Sequence, residues 1–348
     1  MFQLSEITVL ITAAGNVFMP GTTKCIKDNG ERNIRLIGAD MNDDKSMLEM
    51  VDAYYPVPRG DNPDYVDAIF EICKKEHVDV VLPIMSVELI ALSENKERFE
   101  AIGTKISVSG IEQLLIANDK LKLFDFMSSN NIECANYQSV RSMDELEQSV
   151  LTMGYPSRPV CVKATNGSGS RGFRILDESL SKFDSFLHSK PSSCVTTLTE
   201  LKDILSEADV FPPLMVMEYL PGQEYTVDLL ADNGKTLYCC CRKSLNMENS
   251  IMLDGEVVDN ESVKSICSRV VGKLKLEGNI GFDVKERADG TPIIMECNPR
   301  ITAGIPFFAA AGVNLPYLNI KRLLGEELPD VKEKTGMIVK RRWKEMYY

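Results

Sequence analysis

The sequence predicts an α/β protein in which a doubly wound parallel sheet comes first and antiparallel sheets follow. Three observations support this fold class: apolar strands alternate with helices in the first third, a glycine-rich loop separates two strands near the middle, and a hairpin lies near the C-terminal end. Alternating strands and helices are typical of a parallel sheet that helices cover. We expect three units, residues 1–110, 111–213 and 214–348.

The first third contains the strand and helix alternation. The predicted strands are Ile7 to Thr12, Ile34 to Ala39, Val78 to Pro83 and Lys105 to Ser109, and the predicted helices are Pro20 to Asp28, Asn62 to Glu76 and Val87 to Phe99. Ligands of such sheets bind at the carboxyl ends of the strands. This rim would contain Gly15, Asp40 and Pro83 to Glu88. Asp40 could bind a ribose or cap a helix, and Glu88 could serve as a first-turn helix carboxylate.

The first strand does not carry a dinucleotide-binding fingerprint. Gly15 and Gly21 are separated by five residues, whereas the fingerprint requires G-x-G-x-x-G between a strand and a helix. A nicotinamide-dependent dehydrogenase is therefore a weak alternative for this domain.

The composition is that of an ordinary globular protein. Hydrophobic residues make up 44% of the 348 residues, and the net charge is −12. A strongly negative protein is a poor match for nucleic acid or an anionic membrane, since both are bound through clustered Lys and Arg. No apolar run approaches the ~20 residues of a membrane span, and the N-terminus lacks a signal-peptide layout. We expect a cytoplasmic location and no nucleic-acid or membrane partner.

Cysteine and histidine usage narrows the chemistry. Ten cysteines form no C-x-x-C pair and several lie in apolar runs, which favours buried free thiols in a reducing compartment. The chain has two histidines, so a His-based triad or a His-rich zinc site is disfavoured.

A glycine-rich loop follows a predicted strand that ends at Lys163. Its glycines, Gly167, Gly169 and Gly172, have the spacing G-x-G-x-x-G, but the next residues, Phe173 to Leu176, predict another strand and not the helix that a dinucleotide site needs. Such a loop between antiparallel strands can lay backbone N–H groups over phosphate oxygens, and Lys163 would add a positive charge there. A surface loop rich in Gly and Ser is the alternative.

Two further segments carry candidate nucleotide contacts. A predicted helix, Ile111 to Asn130, contains Lys120. Later, the strand Leu214 to Glu218 turns at Pro221-Gly222 into the strand Glu224 to Leu230. Backbone groups beside Glu218 could pair with an adenine edge, and a carboxylate on the return strand could accept hydrogen bonds from ribose hydroxyls. For each of these side chains taken alone, a solvated surface residue is the commoner case.

The segment Asn279 to Arg300 predicts a hairpin with an unusual charge arrangement. If Asp289-Gly290 forms a two-residue turn, Asp283 faces Glu296, and Asn298 projects from the same face as Glu296. Directly opposed carboxylates destabilise an antiparallel pair unless a cation lies between them. Two carboxylates and an amide are suitable ligands for Mg²⁺, which often also binds substrate phosphates.

The order of these segments resembles that of the ATP-grasp superfamily, especially the branch with carbamoyl-phosphate synthase large-chain-like proteins, biotin carboxylase and the ligase of pyrrolysine biosynthesis. The matching pieces are NDKLKLFDFM, VCVKATNGSGSRGF, MVMEYLPGQEYTVDLL, NIGFDVK and IIMECNPR, in that order. The resemblance implies a pre-ATP-grasp domain over residues 1–110, then the N-terminal lobe over 111–213 and the C-terminal lobe over 214–348.

The resemblance also implies roles for individual residues. Lys120 and Lys163 would contact the phosphates of ATP, and Asn166 to Gly172, including Gly167, Ser168, Gly169 and Ser170, would close over them. Glu218, Tyr219 and Leu220 would lie at the adenine and Glu224 at the ribose. Asp283, Glu296 and Asn298 would bind Mg²⁺, with Mn²⁺ as an alternative, and Arg300 would stabilise the transferring phosphoryl group.

These parts imply an ATP-dependent carboxylate-amine ligase that forms an acyl phosphate and releases ADP and phosphate. The expected substrates are a small carboxylate and an amine, both amino-acid-like, and a homodimer is an option because relatives often form one. Activation of bicarbonate, as in carbamoyl-phosphate synthase or carboxylases, and a non-catalytic ATP-binding sensor are the alternatives. Biotin carboxylases have a further C-terminal domain. Arg242-Lys243 lies in the region where relatives often place substrate-contacting basic residues. The segment Gly336 to Tyr347 predicts a final strand.

Overall fold

The structure is a computed structural model that describes residues 4–165, 171–179, 181–188, 194–248 and 251–342. These residues form three sheets with helices packed between and around them. Five residues of the predicted phosphate loop, Asn166, Gly167, Ser168, Gly169 and Ser170, lie outside the described ranges.

The first sheet is parallel, and its strand order is β3-β2-β1-β4-β5. Its strands are β1 (Ile7–Ile11), β2 (Ile34–Asp40), β3 (Ala53–Pro56), β4 (Val80–Leu82) and β5 (Lys105–Ile106). The associated helices are α1 (Met19–Lys27), α2 (Tyr65–Glu76), α3 (Leu89–Glu94) and α4 (Lys96–Glu100). The predicted doubly wound sheet is confirmed, and the strand order reverses between β1 and β4.

The predicted helix from Val87 to Phe99 is wrong in its continuity. A 3₁₀ turn, Ser86–Glu88, comes first, and α3 and α4 are separated at Asn95. The Asn95 side chain donates to the carbonyl oxygen of Ala91 at 2.9 Å. An Asn amide that bonds locally to the backbone competes with continuation of the helix, which explains the break.

The two faces of the first sheet are covered differently. One face packs on α2 to α4 around Ile69, Leu89 and Phe99. The other face packs on α1 and, unexpectedly, on residues from the last third of the chain, such as Val257, Phe308 and Leu318. The first sheet therefore shares one hydrophobic core with the C-terminal part of the chain.

The second sheet has the order β6-β10-β7-β8-β9. Its strands are β6 (Tyr137–Val140), β7 (Val160–Ala164), β8 (Phe173–Leu176), β9 (Val195–Thr196) and β10 (Leu214–Glu218). The helices of this region are α5 (Ile111–Ala117), α6 (Lys120–Ser129), α7 (Met143–Thr152), α8 (Lys182–His188) and α9 (Leu198–Ser206). As predicted, β7 and β8 are antiparallel and flank the glycine-rich loop.

The single helix predicted from Ile111 to Asn130 is also wrong. It is divided into α5 and α6, because Asp119 adopts extended backbone and its carboxylate accepts from Lys122 N at 3.0 Å as the N-cap of α6. An Asp at this position starts a new helix. The break puts Lys120 at the first position of α6.

The third sheet has the order β15-β14-β11-β12-β13-β16. Its strands are β11 (Glu224–Asp232), β12 (Lys235–Glu248), β13 (Ile251–Val258), β14 (Gly278–Glu286), β15 (Pro292–Asn298) and β16 (Ile338–Lys340). The remaining helices are α10 (Glu261–Leu274), α11 (Pro306–Ala310) and α12 (Leu315–Leu323). Strand β16 confirms part of the predicted final strand.

The β14-β15 hairpin has the predicted facing pair but not the predicted turn. Asp283 is opposite Glu296, as expected. Near the turn, however, Lys285 is opposite Ile293, and Arg287 N donates to Thr291 O, so the loop contains Ala288, Asp289 and Gly290. The register shifts between Asp283 and Val284, where Met295 is the extra residue of a β-bulge on β15. The longer loop and the bulge compensate for each other.

Candidate active site

The candidate site is built on a row of side chains that crosses the third sheet. Arg242 on β12 is paired with Thr226 on β11, Thr226 with Asp283 on β14, and Asp283 with Glu296 on β15. Directly paired residues of an antiparallel sheet project from the same face. The row therefore brings two carboxylates and a guanidinium to one surface, although 54 residues separate Arg242 from Glu296 in the sequence.

Two lysines from the second sheet region approach this row. Lys120 Nζ lies 3.3 Å from Glu296 Oε2. Lys163, on β7, is buried, and burial lowers its pKa to about 8. Its ammonium group also interacts electrostatically with Lys120, Glu296 and Asp283. The structure thus brings together both predicted phosphate-binding lysines and both predicted metal-binding acids.

Asp283 is poorly satisfied for a carboxylate. Its Oδ1 accepts a long hydrogen bond, 3.4 Å, from Thr226 Oγ1. Loss of hydration and the negative charge of Glu296 raise its pKa to about 7. A cation between Asp283 and Glu296 would relieve both penalties, and oxygen donors are those that Mg²⁺ prefers. The residues present therefore fit the predicted metal, with Asn298 as the third donor. In the described residues no group of three or more His, Cys, Asp or Glu side chains is arranged to hold a metal.

Arg300 connects this surface to the first sheet. Its Nη2 donates to Asn298 Oδ1 at 3.0 Å, and its Nε donates to Ser86 Oγ at 3.3 Å. Ser86 follows β4, at the carboxyl end of the first sheet. Burial lowers the pKa of Arg300. The guanidinium is therefore held between the candidate metal site and the rim of the parallel sheet.

The predicted adenine and ribose contacts lie on β10 and β11. Leu220 is buried, and Tyr219 and Glu224 are partly exposed. The carboxylate of Glu218 accepts from Arg287 Nη2 at 2.9 Å and from Asn136 N at 2.8 Å. Both bonds are accepted by Oε1, and they hold the side chain of Glu218 beside Arg287. These assignments stay predictions.

Gly172 is the glycine of the phosphate loop that the structure describes. Its φ is +69°, and a Cβ there would lie 2.6 Å from Ala164 Cβ. Gly172 O also accepts from Ala164 N at 2.9 Å. The loop therefore re-enters β8 immediately beside β7, which requires glycine at this position.

Two residues of the predicted rim, Asp40 and Glu88, stabilise the fold of the first sheet. Asp40 is buried, and its carboxylate accepts from Gly15 N at 3.0 Å and from Asn42 N at 2.9 Å. Glu88 is buried and accepts from Thr12 Oγ1 at 2.6 Å and from Met85 N at 2.7 Å. Asp40 holds the loops together and does not cap a helix. Of the rim residues, Ser86 is the one that meets the candidate site.

Sequence reasoning placed Ser86 on the predicted rim, within Pro83 to Glu88, but missed its contact with Arg300. It also missed Thr226 as the partner of Asp283. The alternation of Glu224, Thr226 and Asp228 on one face was visible, but the neighbouring strand was not. Only the sheet order, with β11 between β14 and β12, shows which residues Thr226 contacts.

Family models match two parts of the chain. Residues 210–345 match the model described as ATP-grasp in the biosynthetic pathway with Ter operon, and residues 9–107 match the PylC-like N-terminal domain. The chain is an ATP-grasp protein. The resemblance that the five sequence pieces predicted is confirmed.

Solved structures share the fold of this ATP-grasp protein along most of its length. N5-carboxyaminoimidazole ribonucleotide synthetase, solved as an ADP complex, has a TM-score of 0.67 and 14% identity and covers 96% of this chain and 80% of its own. The L-amino acid ligase from Bacillus licheniformis has a TM-score of 0.64 and 14% identity, with 93% and 75% covered. The biotin carboxylase domain of Hydrogenobacter thermophilus 2-oxoglutarate carboxylase, solved with MgADP and bicarbonate, has a TM-score of 0.68 and 16% identity, with 95% and 73% covered.

Curated relatives are longer proteins. Carbamoyl phosphate synthase large chain from Clostridium acetobutylicum is 23% identical over 279 residues, which are 77% of this chain and 24% of the relative. Carbamoyl-phosphate synthase from Methanobrevibacter smithii is 23% identical over 213 residues, or 60% and 48%. The ATP-grasp chain thus spans between a quarter and a half of these relatives. Among its described helices, none has the length and apolarity that crossing a bilayer requires.

Proposed function

We propose that this protein is an ATP-dependent carboxylate-amine ligase that forms an amide or peptide bond through an acyl phosphate. The observation that supports this most strongly is the convergence of Lys120, Lys163, Asp283, Glu296 and Arg300 on one face of the third sheet. No histidine is needed, because phosphoryl transfer depends mainly on positioning and charge neutralisation.

The reaction would proceed in two displacements. A carboxylate oxygen of the first substrate attacks the γ-phosphorus of ATP, the bond to the bridging oxygen of ADP breaks, and ADP leaves. The amine of the second substrate then attacks the carbonyl carbon; the C–N bond forms, the bond to the phosphate oxygen breaks, and the amine loses a proton. ATP therefore converts a poor leaving group into phosphate.

The side chains have distinct tasks in these steps. Lys120 and Lys163 would hold phosphate oxygens, and Lys163 is charged below its pKa of about 8. Asp283, Glu296 and Asn298 would hold Mg²⁺, which supplies charge neutralisation at the phosphates when bound. Arg300, already bonded to Asn298 and Ser86, would orient the carboxylate substrate against the phosphoryl group. The segment 166–172 would exclude water that hydrolyses acyl phosphates.

An ADP-release assay tests the proposal. Amino acids are supplied in pairs with Mg-ATP, and Glu296→Gln is run beside the native protein. We expect pair-dependent ADP formation that falls by at least about 100-fold in the variant, as when a charged transition-state contact is removed. Glu178→Gln, at the far end of the second sheet, is the control and keeps full activity. Ligase activity that survives Glu296→Gln undiminished would contradict the metal assignment.

Bicarbonate is the second candidate substrate. It is favoured by the curated relatives, which are carbamoyl-phosphate synthases, and by the fold shared with a biotin carboxylase domain solved with bicarbonate. Phosphate release that depends on bicarbonate and not on any amino acid would select this alternative. Mg-ATP binding without any ADP release across both panels would indicate a nucleotide sensor.

A further inference from the structure

Beside the candidate metal site lies a cluster of charged side chains, around Arg242 and Arg341, that has no role in the proposed reaction. Arg242 is buried, with 2% of its surface exposed, and its guanidinium lies 5.3 Å from the ring centre of Phe307. Arg341 lies 5.4 Å from the same ring and 4.9 Å from the ring of Phe18. The two guanidinium groups thus contact one aromatic ring, and Phe18 brings the loop after β1 to the same place.

The charges of this cluster are not balanced. Arg242 Nη1 forms an ion pair with the buried Asp228 at 2.7 Å, and Asp228 also accepts from Thr302 Oγ1 at 2.6 Å. In the described part of the chain, Arg341 forms no ion pair; its Nη2 donates to the carbonyl oxygen of Ala303. Burial and the nearby charge of Arg242 lower the pKa of Arg341 to about 10, so it remains charged at neutral pH. The cluster therefore contains two cations and one carboxylate, and that carboxylate pairs with Arg242.

Hydrogen bonding in the cluster is also incomplete. Neither Arg242 Nε nor Arg341 Nη1 has a hydrogen-bond partner among the described residues, and both atoms are buried. Buried charged donors that lack acceptors are costly, and most such donors in proteins are paired. One acceptor with a single negative charge and two oxygens would satisfy both the charge and the donors, and a carboxylate has these properties.

The cluster is close to the candidate reaction centre. Arg242 belongs to the same cross-strand row as Asp283, two strands away, which corresponds to about 10 Å between backbones. Arg341 follows β16, beside β13. On the other side, Phe18 and Ser86 bring the loops after β1 and β4 to Arg341 and Arg300. The long arginine side chains and a substrate of a few carbon atoms together span this gap.

We propose that Arg242 and Arg341 form a subsite for a free carboxylate of the substrate, one that is not the group activated by ATP. The inference rests on the proposed ligase function and narrows its substrate class. The carboxylate belongs either to a dicarboxylic acid or to an amino acid that supplies the amine. A guanidinium group can donate two parallel hydrogen bonds to the two oxygens of a planar carboxylate, whereas a lysine ammonium group cannot.

Binding of matched probes tests the subsite without catalysis. The full chain is titrated, in thermal-shift assays at constant ionic strength, with succinate against succinamate and with alanine against alaninamide. We expect a carboxylate probe to raise the Tm and to bind at least about tenfold more tightly than its amide, given the strength of charged hydrogen bonds. A response to the succinate pair identifies a dicarboxylic acid, and a response to the alanine pair identifies the amine donor.

Variants separate the subsite from general structure. Arg341→Met is expected to lose the carboxylate preference, while its Tm without probe stays equal or rises because a buried unpaired charge is removed. Arg341→Lys should bind with intermediate strength. Arg342→Met is the matched control, since Arg342 is exposed and pairs with Asp254 at 3.0 Å; it should bind like the native protein. Equal binding of acid and amide probes, or unchanged binding in Arg341→Met, would overturn the subsite.

A thermal-shift titration with Mg-ATP distinguishes failure of the carboxylate subsite from failure of the ligase proposal. A thermal shift with Mg-ATP that is absent in Glu296→Gln but intact in Arg341→Met supports the nucleotide site and leaves the probe results to decide the subsite. Loss of the Mg-ATP shift in the native protein would instead contradict the ligase proposal.

Discussion

At the scale of single residues, the candidate site contains ionisable groups that are costly to bury. Asp283 faces Glu296 with a single long hydrogen bond, and Lys163 is a buried ammonium. Both groups have pKa values shifted toward their neutral forms, because burial disfavours the charged form of each. Such shifts are found where ligands of opposite charge are expected to bind.

Asp283→Asn should stabilise the protein in the absence of nucleotide and metal. The folded-state pKa is raised from 3.8 to about 7, so the folded state binds more protons than the unfolded state between these values. Stability therefore falls as the pH rises through this window, and the variant avoids that loss. We expect its free energy of unfolding in urea to exceed that of the native protein at pH 8, with a smaller difference at pH 5.

The control for this measurement is Asp209→Asn, since Asp209 is exposed. It should leave stability unchanged at both pH values. A native protein that is as stable as Asp283→Asn at pH 8 would contradict the assignment of strain to the facing carboxylates.

At the scale of elements, the residue at which α6 begins determines where Lys120 lies. Asp119 caps the helix and Lys120 is its first residue, so the cap fixes the position of a side chain that contacts Glu296. The sequence pattern alone suggested one long helix, because apolar residues resume at Leu121, directly after Asn118-Asp119 and Lys120. Hydrophobic periodicity does not reveal a break between two helices, such as α5 and α6, when both pack on the same core.

Asp119→Ala should lower stability and weaken nucleotide binding together. Loss of an N-cap costs about 1 kcal/mol, and the displaced Lys120 should raise the KM for ATP several-fold. Ser142→Ala is the matched control, since Ser142 caps α7 by accepting from Glu145 N at 3.2 Å. It should cost similar stability in urea unfolding and leave the KM unchanged. Equal KM values in the two variants would contradict a positioning role for the α6 cap.

At the scale of the whole molecule, the first and third sheets are joined by a common core. Ile11, Leu36 and Leu82 of the first sheet pack in the same cluster as Phe308 and Leu318 of the C-terminal helices. Gly21 of α1 leaves no room for a side chain, since a Cβ there would lie 2.8 Å from Pro306 Cγ of α11. Glycine at this position therefore allows α1 and α11 to pack closely.

This shared core should make unfolding cooperative across the chain. Cys73 on α2 and Cys240 on β12 are both buried free thiols. In pulsed thiol labelling they should become reactive at the same urea concentration, and Phe308→Ala should lower both midpoints equally, with a cost of about 3–5 kcal/mol. Earlier labelling of Cys73 would show that the first sheet unfolds alone.

What the sequence could predict followed from local patterns. The parallel sheet was visible in apolar strands, and the Asp283-Glu296 pair was visible because both strands belong to one hairpin. The pairs that join distant strands, such as Thr226 with Asp283 and Arg242 with Thr226, depend on sheet order, which no local pattern contains. Arg341 was missed for the same reason, because its environment is formed by Phe18 and Phe307, which come from opposite ends of the chain.

The extra residue at Met295 has one more consequence. Without it, Ile294 would still pair with Val284 and Glu296 with Asp283, so the ladder would become regular while every partner stayed the same. What would change is the local coiling of β15, and with it the direction in which Glu296 points. The pairing register of the hairpin and the direction of its side chains therefore depend on different features. Deletion of Met295 would keep the register but turn Glu296 away from Asp283.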